Sequence, residues 1–172
     1  MAELLKRYFK ICLLTSGPED LPDSALLLKI MLLLYFISGC LSMWPGIGLG
    51  DSTQLMLLDC IILLLFSWLC LLALNKRSRF IQTATALTAV GTIFQLLAWP
   101  LLFYVDEVRQ ANTVPVEASL LLLVIISWNL AVYAHIFRQA FSVHMWAAFA
   151  LTLAYVIINI TSRGLLFADV GG

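Results

Sequence analysis

Charge is scarce in this chain: ten Lys/Arg and ten Asp/Glu among 172 residues, 12% in all, where a soluble domain carries about 25%. The two signs cancel, which excludes the basic surface that a nucleic-acid partner requires. Histidine occurs twice, and the four cysteines (Cys12, Cys40, Cys60, Cys70) form no CxxC and no zinc-type spacing. Neither a metal nor any other cofactor is therefore expected. HExxH, P-loop and GxSxG strings are missing too, and with them the common signals of hydrolases and nucleotide enzymes. No hydrophilic stretch is long enough to fold as a separate domain.

What the chain has in excess is apolar sequence, 62% of its residues, with a mean hydropathy of +0.99. A water-soluble fold of this size cannot hide so much apolar surface. The excess lies in uncharged runs long enough to cross about 30 Å of hydrocarbon. These runs predict an all-α polytopic membrane protein with five transmembrane helices near 25–44, 55–74, 80–105, 118–137 and 141–161, so that 25–172 form one transmembrane domain. The Gly/Pro-rich stretch 44–52 reads as a loop whose Asp51 or Ser52 caps the second span. Residues 75–79 read as a tight basic turn, 106–117 as an acidic loop, and Arg138-Gln139 as the last turn.

Residues 1–15 stand apart. Glu3, Lys6, Arg7 and Lys10 share one helical face, and Leu4, Leu5, Tyr8, Ile11 and Cys12 form the other. This is the pattern of an amphipathic helix lying in the membrane interface, with docking of a cytoplasmic partner as the alternative. Gly17 and Pro18 end it, 16–24 form a linker, and Asp23 or Ser24 can cap the next helix. Basic residues set the orientation. With the N-terminus inside, Lys6, Arg7, Lys10, Lys29, Lys76, Arg77, Arg79 and Arg138 are cytoplasmic, and only Arg109 and Arg163 fall outside. The C-terminus is then periplasmic.

Ionisable groups at membrane depth call for an explanation. Asp59 lies inside the second span; it pairs with Arg163 or Arg109 near the interface, or it serves a transported ion. Lys29 is an anchor that snorkels to the boundary. Gln82, Thr85, Thr88, Thr92 and Gln95 recur every three or four residues along the third span, the small hydrogen-bonding stripe that lets helices approach in lipid. Trp99-Pro100 bends or loosens its outer end. Ser127, Asn129 and His135, with Thr152, Asn159 and Thr161, supply further interhelical bonds, and His135 and His144 flank the last turn. Cys40 and Cys60 fall at similar depths, which leaves a disulfide open beside the reading of all four cysteines as packing residues. Gly48-Leu49-Gly50-Asp51 matches the GxGD string of aspartyl intramembrane proteases. Those enzymes need a second aspartate facing the first within the membrane, whereas here the string serves as loop and cap.

Five spans, the entry Gly17-Pro18-Glu19-Asp20-Leu21-Pro22, and the basic turn followed by Phe80-Ile81-Gln82-Thr83-Ala84-Thr85-Ala86-Leu87 resemble the Yip family of Ypt/Rab-interacting membrane proteins, in particular its small bacterial members. The resemblance covers nearly the whole chain, and topology carries most of it. It implies a non-enzymatic membrane adaptor and an inner-membrane location. The DLYGP string and long N-terminal region of eukaryotic members have no counterpart here. The expectation is an adaptor, scaffold or assembly partner in a bacterial inner membrane, acting on itself as a homo-oligomer or on another membrane protein within the lipid bilayer. The alternative is a small oligomeric transporter or channel lined by Asp59, Gln82, Gln95, Asn129 and His135.

Overall fold

Helix follows helix along the chain. The computed structural model describes residues 2–110 and 116–166; Met1, the connection 111–115, residues 167–172 and the side chains of Ala2, Asp106, Arg109, Gln110 and Leu166 lie outside the described residues. The helices are α1 (Ala2–Cys12), α2 (Ala25–Ile47), α3 (Leu49–Ala73), α4 (Phe80–Gln110), α5 (Val116–Phe141) and α6 (Met145–Leu166). Single 3-10 turns at Pro18–Asp20 and Arg77–Arg79 complete the described elements. Five of the helices, α2 to α6, are long and apolar enough to cross a membrane. They satisfy their backbone groups internally, as a bilayer demands.

The boundaries differ from the sequence expectation in instructive ways. The loop expected at 44–52 shrinks to one residue. α2 runs through Pro45 to Ile47, and Gly48 alone makes the corner at φ +82°, so α3 starts at Leu49 rather than near 55. Gly48 is the N-cap of α3. Asp51 and Ser52 lie within its first turn, where the Ser52 hydroxyl donates to the Leu49 carbonyl at 3.0 Å. At the head of α2 it is Ser24 that caps, its Oγ accepting from Leu27 N at 3.3 Å. α4 continues through Pro100, Asp106 and Glu107 to Gln110.

α5 keeps Arg138 and Gln139 helical and ends at Phe141. Its last carbonyls have cationic partners there. Lys76 Nζ donates to Phe141 O at 2.6 Å, and Arg79 donates to Gln139 O and Ala140 O at 3.2 and 3.3 Å and to Ser142 Oγ at 3.1 Å. Two of the three cations in the basic turn therefore finish a helix rather than point at headgroups; Arg77 is exposed. Ser142, at φ +50°, turns the chain, which moves the last helix from the expected 141–161 to Met145–Leu166.

Burial is uneven along the bundle. Residues 83–90 of α4 and 132–137 of α5 are buried without a break near the end that holds Lys76 and Arg79. Toward the opposite end no residue in 95–105 of α4 or 119–131 of α5 is buried. α4 and α5 are packed solidly at the basic end and much less so toward the other. α1 lies against α4 and α5, and its Tyr8, Ile11 and Cys12 are buried. Protein, not lipid, covers much of the apolar face assigned to the interface, while Leu5 stays exposed.

Candidate functional site

α3 is a ladder of inward positions, Ser52, Met56, Asp59, Cys60, Leu63, Ser67 and Leu71, all buried. Asp59 is the one charge in it and only 5% exposed. Four donors converge on it. Tyr35 of α2 donates to Oδ2; Tyr155 (3.3 Å), Asn159 and Arg163 (3.4 Å) of α6 donate to Oδ1. Tyr155, Asn159 and Arg163 follow one another at four-residue spacing, so a single face of α6 delivers all three. The carboxylate is fully engaged as an acceptor, and the pair with Arg163 leaves no formal net charge at its centre.

Space at this centre depends on Gly91. A Cβ there would stand 2.4 Å from Tyr35 Cε2 and 2.9 Å from Tyr133 Oη. Tyr133 reaches in from α5, donates to Leu87 O at 3.3 Å, and has its ring 6.0 Å from that of Tyr155. Tyr35, Tyr133, Tyr155, Asp59, Arg163, Gln95 and Asn129 surround a cavity of about 240 Å3. Next to it, a groove of about 520 Å3 runs between α2, α4 and α5, lined by Met43, Pro45, Phe94, Leu102, Ile126 and Leu130 among others. Gln95 and Asn129 line both.

The polar stripe of α4 divides in three. Thr85 and Thr88 are wholly buried, and their hydroxyls, with that of Thr92, donate to carbonyls four residues back, Ile81, Ala84 and Thr88, at 2.7–2.8 Å. All three hydroxyls are thus satisfied within their own helix; Thr85 and Thr88 lie inside the monomer and are no surface for a partner, while Thr92 is half-buried. Gln95 belongs to the cavity, where its Oε1 accepts from Ser38 Oγ. Gln82 is used elsewhere: its Nε2 donates to Leu21 O at 2.8 Å. Trp128 Nε1 donates to Cys12 O at 2.9 Å, and His135 Nε2 meets Ser16 O at 3.1 Å. Gln82, Trp128 and His135 therefore hold the carbonyls of the N-terminal segment, which is why Gln82 and His135 do not share a path with Asp59.

Lys6 pairs with Glu3 at 3.1 Å on the exposed side of α1, Arg7 donates to Asp20 O, and Lys10 is exposed. Burial raises the Tyr8 hydroxyl above its ordinary range and pushes the Cys12 thiol up to about 11. Ser127 and Thr152 donate to carbonyls of their own helices, so neither hydroxyl makes the interhelical bond expected of it; Asn159 does make one. All four cysteines are free thiols, and the described residues contain no group of three or more His, Cys, Asp or Glu able to hold a metal. No family model, curated protein or solved structure matches this chain.

The three tyrosines escaped the sequence reading because tyrosine in an apolar helix looks like any other aromatic packing residue. The four-residue spacing of Tyr155, Asn159 and Arg163 is the signal that points to Tyr155.

Proposed function

We propose that this is a non-enzymatic integral membrane protein of a bacterial inner membrane whose work runs through the Asp59 cavity, as a carrier or receptor for a small molecule that enters from the bilayer. One observation carries the reading: a buried, internally neutralised polar centre borders a cavity that continues into an apolar groove through Gln95 and Asn129. Convergent polar groups in a mostly apolar concavity are the ordinary form of a small-molecule site. Solid packing at 83–90 and 132–137 argues against an open channel through the bundle. The positive-inside bias supports a cytoplasmic N-terminus and a periplasmic C-terminus. Kinship with the bacterial Yip branch is part of the proposal and rests on the sequence resemblance at 17–22 and 80–87.

A second reading, an adaptor or assembly partner, is favoured by the exposed cations Lys6, Lys10, Arg77 and Arg138 at the basic end. Extraction in native lipid particles followed by mass spectrometry separates the two. A small molecule in fixed ratio, lost from Asn129→Leu, supports the carrier or receptor. A second protein in fixed ratio with an empty cavity overturns it and supports the adaptor.

A further inference from the structure

We infer that the cavity and groove together hold one membrane quinone, its carbonyl-bearing ring beside Asp59 and its hydrocarbon tail in the groove. This rests on the reading of the Asp59 cavity as a ligand site and names the ligand class.

The cavity offers donors that no described protein group uses. Both oxygens of Asp59 already accept hydrogen bonds. Gln95 uses its Oε1 on Ser38, which leaves Nε2 to donate. The buried Nε of Arg163 has no partner among the described residues, and no described residue hydrogen-bonds the Asn129 amide. Carbonyl oxygens, which only accept, match these open donors. Formal charge at the centre cancels between Asp59 and Arg163, so an ionic headgroup gains no net attraction and loses its hydration. Tyr35, Tyr133 and Tyr155 line the cavity, and aromatic side chains are partners on which a flat ring packs. From the cavity, Gln95 and Asn129 lead directly into walls formed by Phe94, Ala98, Leu102 and Ile126, which suit a hydrocarbon tail. The cavity sits at the edge of the packed stretch that holds Gly91 and Tyr133, and the groove extends from it along 94–105 of α4 and 125–130 of α5, where α4 and α5 bury little and a molecule dissolved in the bilayer enters from the side. A neutral ring on one apolar tail satisfies each of these features.

The test uses the full chain in phosphatidylcholine nanodiscs doped with decyl-tailed benzoquinone, with native mass spectrometry to count retained quinone. The expected result is one quinone per chain. Retention should weaken by about tenfold or more in Gln95→Leu/Asn129→Leu, which removes two donors. It should weaken likewise in Ala98→Trp, which fills the groove while keeping the donors. Ile157→Ala, on the exposed side of α6, should retain quinone as the parent does. Equal retention by parent and groove variants means partition into the disc and overturns the inference. Retention of phospholipid in place of quinone, sensitive to the same variants, overturns the quinone and leaves the proposed function standing. An empty cavity under every condition overturns both.

Discussion

The Asp59 carboxylate of α3 and the Arg163 guanidinium of α6 meet at 3.4 Å across 104 residues of sequence, with Asn159 donating to the same oxygen from one turn earlier. Their consequences on removal are unequal. Arg163→Met leaves Asp59 with three neutral donors, and since the Arg163 side chain is 31% exposed, the loss is about 1–2 kcal/mol. Asp59→Asn keeps one acceptor oxygen but turns the other into an NH2 group that faces a donor, and it leaves the guanidinium without its counter-charge, at a cost on the order of 3 kcal/mol. Thermal unfolding in detergent should rank the variants in that order. Asp59→Asn/Arg163→Met should recover part of the larger loss. An Asp59→Asn protein that melts with the parent would show that the pair does not hold α3 to α6.

Gly91 permits the same centre by lacking a side chain. In Gly91→Ala the new methyl stands 2.4 Å from the Tyr35 ring, and the ring can give way only by leaving Asp59. Overpacking of this kind costs about 1–3 kcal/mol. Gly91→Ala should lower the unfolding midpoint, and adding Tyr35→Phe should change it less than Tyr35→Phe does alone.

Thr88 separates two meanings of the stripe on α4. Its hydroxyl donates to Ala84 O and Thr85 O in its own helix. Removing it as Thr88→Val keeps the shape, and the backbone carbonyls retain their helical partners, so the cost should stay below about 1 kcal/mol. Thr88→Leu forces volume into a fully buried site and should cost about 1–3 kcal/mol. Equal losses for Val and Leu would mean that the hydroxyl, not the space, matters.

The spans were legible because hydrocarbon thickness and the cost of buried charge leave few ways to write a bilayer-crossing helix. Their ends were not. Whether Arg138 and Gln139 stay helical is decided by Lys76 and Arg79, some 60 residues away, and no local pattern carries that information. The corner at Gly48 was hidden for a different reason. Pro45, Gly46, Gly48 and Gly50 all favour a loop locally, but only one of them adopts a positive φ. Asp59 stood out as a lone carboxylate, and Arg163 was one of its two candidate partners. Tyr35, Tyr133 and Gly91 come from three other helices, and their convergence is a property of packing that periodicity within a helix does not reveal.

Lys76 and Arg79 make the end of α5 a sensitive place. Removing both as Lys76→Met/Arg79→Met leaves the carbonyls of Gln139, Ala140 and Phe141 without their cationic donors. Each such contact at a helix C-terminus is worth about 0.3–1 kcal/mol. The double variant should therefore exchange amide hydrogen faster at 138–144 while amides near Val132 keep their protection. Uniform exchange along α5 would contradict this account.

Cys12 reports whether α1 is docked. Its thiol is buried, its carbonyl accepts from Trp128 Nε1 at 2.9 Å, and burial pushes its pKa from the ordinary 9.0 up to about 11. The sign follows from which state keeps the proton. Between these values the undocked thiol is ionised while the docked one is still protonated, so docking is fully supported below about pH 9 and weakens as pH rises toward 11. In a chain whose Cys40, Cys60 and Cys70 are replaced by Ala, iodoacetamide should alkylate Cys12 slowly at pH 8, with a rate that climbs until about pH 11, because the thiolate is the reacting species. Trp128→Phe removes the bond that holds the Cys12 carbonyl. Its profile should move down toward 9.0, with faster alkylation at every lower pH. A parent profile centred near pH 9 would mean that α1 does not rest on α4 and α5.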